Sequence, residues 1–287
     1  MSRQVSKYLF GIDLDGTLLN PLGEVADRTK QAIHAVLKDG HRVAFATGRN
    51  FIEARPVFES VAHHDLAVLV SGAVVCDTRT GDWLKHSPMN ATLAGELCET
   101  IEATGHAAVA FQDRSVAGFD YMISQGREVH PSLRVWFTMA GLLTVYRPDM
   151  GKQDHSKTIR ISTVTEVEVA KQIRSAVEKR FVGRAYLHGI LVPHDGVEIL
   201  EMFDPNVNKW EGLKYVADVH GIATQNIICV GDDSNDLPML RAATLSLAMG
   251  NARAEVKQAA KHVIGTNADD GLAVFLEQWL SGPTRFA

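Results

Sequence analysis

The sequence predicts an α/β fold: a Rossmann-like, doubly wound parallel sheet carrying an inserted α+β domain. Three observations lead there. Short apolar runs recur, each stopping at a polar or glycine-containing cluster. Amphipathic helical segments separate them. The middle of the chain breaks this alternation, which then resumes towards the C-terminus. A length of 287 residues has room for two domains.

The elements follow in order. Tyr8-Leu9-Phe10-Gly11-Ile12 reads as a buried strand ending at Asp13-Leu14-Asp15-Gly16-Thr17. Leu18 to Glu24 contains Pro21 and Gly23 and predicts a small hairpin. Asp27 to Lys38 carries Ile33, Val36 and Leu37 at helical spacing, with Gly40 as a stop. Arg42 to Ala46 predicts a second strand, ending at Thr47-Gly48-Arg49, and Asn50 to Ser60 a short helix. Leu66 to Val70 predicts a third strand, ending at Ser71-Gly72-Ala73.

The middle predicts a helix over 91–104, a strand over 107–111, a polar region, a strand over 158–162 and a helix over 166–180. Ala185 to Val192 and Val197 to Met202 then read as two strands joined by the turn Pro193-His194-Asp195-Gly196. After it come a helix from Lys209 to His220, a strand over 226–230 ending at Gly231-Asp232-Asp233-Ser234-Asn235-Asp236, a helix over 237–243, and a strand over 245–249 ending at Gly250-Asn251. The expected division is a core of residues 1–87 and 203–287 interrupted by a cap of residues 88–202.

Composition narrows the function. Hydrophobic residues make up 46% and charged residues 22%, ordinary for a globular protein. The net charge of −5 argues against nucleic acid as a partner, while a local field still permits an anionic metabolite. Cys76, Cys98 and Cys229 are few and scattered, as reduced core residues are. Met1-Ser2-Arg3-Gln4 leads into the first strand with no secretory apolar segment, and no run is long enough to span a bilayer. The expectation is a cytoplasmic protein with no membrane partner.

Four polar clusters fall after predicted strands or at a helix start: Asp13/Asp15, Thr47/Gly48, Lys209, and Asp232/Asn235/Asp236. In an open parallel sheet, ligands bind beyond the carboxyl ends of the strands, so all four can converge. Their chemistry is complementary for phosphoryl transfer. Asp13 can be the nucleophile that takes the phosphoryl group, and Asp15 the acid and base. Asp13, Asp232 and a backbone carbonyl can hold Mg2+ through oxygen. The Thr47 hydroxyl, the Gly48 N–H and the Lys209 charge suit phosphate.

With Asn208-Lys209 and the run from Gly231 to Leu240, these motifs resemble the haloacid dehalogenase superfamily, in particular its Cof-type phosphatases, with the insert as a C2 cap. The stretch Asn267-Ala268-Asp269-Asp270-Gly271-Leu272-Ala273 is similar to that subfamily's tail. The resemblance covers essentially the whole chain. It implies Asp13 as nucleophile and metal ligand, Asp15 as acid/base with its main-chain carbonyl on the metal, and Asp232 on the metal. It implies Thr47, Gly48, Lys209 and the Leu14 N–H on phosphate, Asn235 near phosphate or metal-bound water, and Asp236 orienting Lys209. The cap is then expected over the carboxyl edge of the sheet, selecting the substrate. The sequence departs from the family at Ser71, where Asn usually precedes Gly72-Ala73, and at Trp210, where Gly usually follows the lysine.

Simpler readings stand beside these. Asp-x-Asp-Gly also opens calcium loops, but Leu18-Leu19 and Pro21-Leu22 stand where ligands would be needed. Arg49 suits a second substrate anion or an internal carboxylate equally. His63-His64-Asp65 reads as a solvated loop, His188 as a cap residue within reach of substrate, and His194 as a surface turn. Trp83, Trp136, Trp210 and Trp279 read as packing residues. The leading expectation is a magnesium-dependent phosphatase of a small phosphorylated metabolite, a sugar phosphate or a phosphorylated cofactor. A mutase of the phosphomannomutase type and a non-catalytic binding protein are the alternatives. The sequence leaves the oligomeric state open.

Overall fold

The computed structural model of the protein describes residues 7–139, 141–192 and 196–282. Leu9–Ile12 (β1) is wholly buried, as a central strand of a parallel sheet must be. Asp27–Lys38 (α1), Arg42–Phe45 (β2) and Phe51–Val61 (α2) follow as the periodicity predicts. Asn50 and Glu53 close a reciprocal cap at the start of α2, at 3.0 and 2.8 Å.

The next segment corrects the sequence reading. Leu66–Leu69 (β3) does not simply extend the parallel sheet. It turns back into Val74–Asp77 (β4), antiparallel, and Trp83–His86 (β5) completes a separate three-stranded sheet. An isolated parallel bridge, Ala46 to Val68, joins β3 to the end of β2. The reversal is made by Val70, Ser71 and Gly72 at φ of 51°, 54° and 106°. Two non-glycine residues in the left-handed region give no turn signature that sequence would reveal. The hairpin expected between Leu18 and Glu24 is also absent. That stretch is an irregular turn, closed by the Asn20 carboxamide accepting from Leu22 and Glu24 backbone N–H groups.

In the middle of the chain, Ala91–Glu102 (α3) and Val109–Gln112 (β6) lie where expected. The polar region after them is structured: Arg114–Ala117 (α4), Tyr121–Ser124 (β7), Pro131–Met139 (α5) and Thr144–Arg147 (β8). Tyr121 packs at 5.0 to 5.6 Å from Phe111, Trp136 and Phe137, an aromatic cluster that supplies the burial. Thr158–Glu166 (β9), Val167–Arg180 (α6), Tyr186–Val192 (β10) and Val197–Phe203 (β11) complete a six-stranded sheet in the order β10-β11-β9-β6-β7-β8. Leu97, Ile101, Ile173 and Val177 of α3 and α6 bury one face of it. The predicted turn residues Pro193, His194 and Asp195 lie outside the described residues.

Lys209–Val219 (α7), Ile227–Gly231 (β12), Leu237–Ala242 (α8), Leu245–Ala248 (β13), Ala254–Ala259 (α9), His262–Val263 (β14) and Gly271–Ser281 (α10) return to α/β alternation. The main sheet runs β14-β13-β12-β1-β2, all parallel, so the strands' carboxyl ends share one edge. Trp279 of α10 meets Tyr8 and Phe10 edge-on at 5.1 and 4.9 Å. The three cysteines are free and buried. His63, expected in solvent, is instead buried, its Nε2 2.8 Å from the Val43 carbonyl and its ring 4.5 Å from Phe45. By contact the chain forms two compact units, one from the two ends of the chain, up to Lys85 and from Asn208, the other His86–Val207. No helix among the described residues is long and apolar enough to cross a membrane.

Candidate active site

The site is built where β1, β2, β3 and β12 end. Asp13 continues β1 by one residue, its N–H donating to the Val230 carbonyl at 3.1 Å, and its side chain is buried. Residues 14–18 then form a non-helical turn, with Asp15 extended and Gly16 left-handed, closed by Leu18 N–H on the Asp13 carbonyl at 3.2 Å. Gly16 makes the turn possible at φ 76°, and a Cβ there would lie 2.2 Å from Asp232 Oδ2. The motif loop therefore passes directly against Asp232, and Thr17 Oγ1 donates to Asp232 Oδ1 at 3.0 Å.

Lys209 is the first residue of α7, behind its cap Asn208, which accepts from Glu211 N–H at 3.1 Å. Gly72 lets the β3–β4 turn abut this helix start; a Cβ there would fall 2.0 Å from the Asn208 carbonyl oxygen. Lys209 is wholly buried, and Nζ donates to Asp13 Oδ1 at 2.5 Å and to Asp236 Oδ1 at 2.6 Å. Asp236 Oδ2 in turn accepts the N–H groups of Asp232 and Asp233 at 2.8 and 3.0 Å. Both oxygens of Asp236 are thus committed to holding the lysine and the β12 loop.

Asp13, Asp232 and Asp236 each bring a carboxylate oxygen to within 4.8 Å of one another. Burial pushes Asp13 well above the usual carboxylate range; Lys209 pulls it down, while Asp236 and Asp232 push it up. Asp232 is pushed up to about 7 by burial and by the charge of Asp236. Burial alone would lower Lys209, but its two carboxylates raise it, so it stays protonated. Three acids share one ammonium, more than the lysine can pair, and their crowding helps to raise Asp13 and Asp232. An all-oxygen donor set with that imbalance fits a hard divalent cation, and Asp13 and Asp232 are the two acids free to meet it.

Thr47 is buried at the end of β2, and its Oγ1 accepts the Arg49 N–H at 3.1 Å. The missing side chain of Gly48 leaves a corner in which a Cβ would sit 3.5 Å from Ser71 Oγ and 3.7 Å from Asn235 Nδ2. Leu14 is buried beneath the motif turn. Arg49 faces an internal carboxylate: Nε and Nη2 grip Asp15 at 2.9 and 2.5 Å, and the Asp15 side chain is 59% exposed. The structure therefore gathers Asp13, Lys209, Asp232 and Asp236, and groups Gly48, Ser71 and Asn235. It keeps the Asp15 carboxylate out of the acidic cluster. Trp210 packs on the apolar core behind α7. His188 is buried in the second unit.

Sequence reasoning gave no role to Thr17 or Asn251. Asn251 Nδ2 donates to the Gly16 carbonyl at 2.8 Å, and its Oδ1 accepts from Asn267 N–H at 3.0 Å, while Asn267 Nδ2 reaches the Leu19 carbonyl at 2.7 Å. The signal for Asn251 was its place at the end of β13, on the same edge as the other clusters.

Comparison with known proteins agrees with this architecture. The family model for haloacid dehalogenase-like hydrolases matches residues 10–276. The chain is 26% identical over 283 residues to the 5-amino-6-(5-phospho-D-ribitylamino)uracil phosphatase YitU of Bacillus subtilis, covering 97% of this chain and 99% of that one. It is 24% identical to the pyridoxal phosphate phosphatase YbhA of Escherichia coli, over 93% and 97% of the two chains. A haloacid dehalogenase-like hydrolase from Bacteroides thetaiotaomicron superposes with a TM-score of 0.73 at 20% identity, over 95% and 99% of the chains, a likeness of fold.

Proposed function

The chain belongs to the haloacid dehalogenase-like hydrolases, and from that premise we propose a magnesium-dependent phosphomonoester hydrolase that acts on a small phosphorylated metabolite through an aspartyl-phosphate. The observation that carries the reading is the buried Lys209 bridging Asp13 and Asp236 beside Asp232. A binding module has no need of a carboxylate so placed.

In the proposed reaction an Asp13 oxygen attacks phosphorus and the ester P–O bond breaks, with Asp15 giving the leaving oxygen its proton. Water then attacks the same phosphorus, Asp15 takes its proton, and the bond to Asp13 breaks to release inorganic phosphate. Thr47, the N–H groups of Leu14 and Gly48, Lys209 and Asn235 hold the phosphoryl oxygens. Asp236 fixes Lys209, and the Arg49 fork orients the Asp15 carboxylate. Magnesium would be held by Asp13, Asp232 and the main-chain carbonyl of Asp15. When bound it supplies positive charge against the phosphoryl oxygens.

Residues 88–202 serve in this reading as the cap that selects the leaving group. Two relatives are named for a phosphorylated ribitylaminouracil and for pyridoxal phosphate, which supports a phosphorylated cofactor or cofactor precursor. The reading places the protein in the cytoplasm, with no nucleic-acid or membrane partner. A panel of phosphorylated metabolites, assayed for free phosphate with magnesium and with chelator, tests it. Magnesium-dependent release that needs no acceptor sugar is expected. Release from no ester, or only in the presence of an acceptor sugar, overturns it.

A further inference from the structure

The turn after β3 holds a hydroxyl that the fold does not use. Ser71 is 2% exposed, and its Oγ has no hydrogen-bond partner among the described residues. Buried hydroxyls are normally paired, and one left without a partner opposes folding. The backbone that carries it is strained as well: Val70 and Ser71 both lie at positive φ, and valine is β-branched. The turn is nevertheless tied firmly to the β2 loop, with Ser71 N–H on the Thr47 carbonyl at 2.9 Å and Val70 N–H on the Arg49 carbonyl at 3.0 Å. These bonds deliver the hydroxyl to one place, the corner over Gly48, where Asn235 Nδ2 is the other polar wall. Rotation between staggered positions about its Cα–Cβ bond moves the oxygen within this corner without moving the backbone.

We propose that the Ser71 hydroxyl is a further phosphoryl ligand, donating to an oxygen of the phosphate group held against the Gly48 turn. The proposal rests on the phosphatase reading above and adds a contact made from β3. Since the contact is to the phosphoryl group, its loss is felt equally by every ester and by free phosphate.

The test compares Ser71→Ala with the parent and with Thr165→Val, which removes another buried hydroxyl without a partner, far along the chain in β9. Binding of inorganic phosphate is titrated in the presence of magnesium, and KM is measured for several esters. Ser71→Ala is expected to weaken phosphate binding roughly three- to tenfold, about the worth of one net hydrogen bond. It should raise KM for all esters by a similar factor and leave the melting temperature at or above the parent's. Thr165→Val should leave phosphate binding unchanged. Unchanged phosphate binding in Ser71→Ala, a KM effect confined to one ester, or an equal loss in Thr165→Val overturns the inference. A parent protein that neither binds phosphate nor hydrolyses any ester defeats the phosphatase reading itself, which is a separate result.

Discussion

The two compact units handle buried charge in opposite ways. In the unit of Asp13, buried Lys209 meets Asp13 and Asp236 while Asp232 adds a further carboxyl group nearby, so the acids outnumber their one ammonium. In the other unit, buried Arg160 pairs with Glu201 across β9 and β11, and the two charges cancel. His155, with Nδ1 2.9 Å from Thr158 Oγ1 and Nε2 2.8 Å from the Met150 carbonyl, is likewise satisfied from within its own unit. A buried pair matched one to one leaves no surplus charge between its two partners. An imbalanced one calls for something from outside, and that is the mark of a site.

The sharpest way to break the comparison is Asp13→Asn. The amide keeps the shape and can still accept from Lys209, but it is a poor nucleophile and metal ligand. Turnover should fall by at least about 10,000-fold, as it does when a nucleophile is removed. The circular dichroism and melting temperature should stay close to the parent's. A purified variant with near-normal turnover would remove the site from Asp13.

Asp15→Asn should cost about 100- to 10,000-fold in turnover, the usual range for a general acid–base group. Its carboxylate lies in the Arg49 fork and outside the acidic cluster. Magnesium affinity should therefore change little. If saturating magnesium restores the rate, the carboxylate is a metal ligand and the proton-transfer role is wrong.

How much of this contrast was legible beforehand follows from what each residue does. Asp13, Asp15 and Gly16 could be read because a strand end and a tight turn are local features. Lys209 could be read as a charge, but not as fully buried, because its partners lie 27 and 196 residues away. The Arg49–Asp15 fork was open between two meanings until the loops were placed. The β3–β4 hairpin was hidden because its turn uses Val70 and Ser71 where glycine or asparagine would have announced it. In the inserted unit, β7, α5 and β8 were hidden because a few aromatic contacts around Tyr121, rather than regular periodicity, hold them. His63 misled because its neighbour His64 is exposed while its own ring fills a gap between Phe45 and Phe58.

A matched pair of substitutions sharpens the comparison further. Lys209→Ala leaves Asp13 and Asp236 without their ammonium, and Arg160→Ala leaves Glu201 without its guanidinium. Each should lose about 3–5 kcal/mol, the cost of breaking a buried ion pair from one side. Chemical denaturation measures both. The two should part company on adding magnesium: the cation can offset part of the loss at Lys209, where it meets the same carboxylates, and none at Arg160. Equal behaviour of the two variants with magnesium would mean that the imbalance at Asp13 has no bearing on metal.

The smallest effect is the most direct on the imbalance itself. Asp232 is half-buried beside Asp236 and Asp13, and its carboxyl is pushed up to about 7 by desolvation and by the charge of Asp236. Asp232→Asn removes one of the crowded charges, yet its amide oxygen can still accept from Thr17 Oγ1. Without divalent cation, the variant should be as stable as the parent or slightly more so. Adding magnesium at about 100 times its dissociation constant should stabilise the parent by about 2.7 kcal/mol, since a ligand that binds only the folded state shifts the equilibrium by mass action. The variant should gain little, having lost one of the two acids free to meet the cation. Thermal unfolding with and without magnesium reads this directly, with no need of a substrate. A variant that keeps the parent's full magnesium shift would place the cation elsewhere and leave the surplus of acids around Lys209 without its explanation.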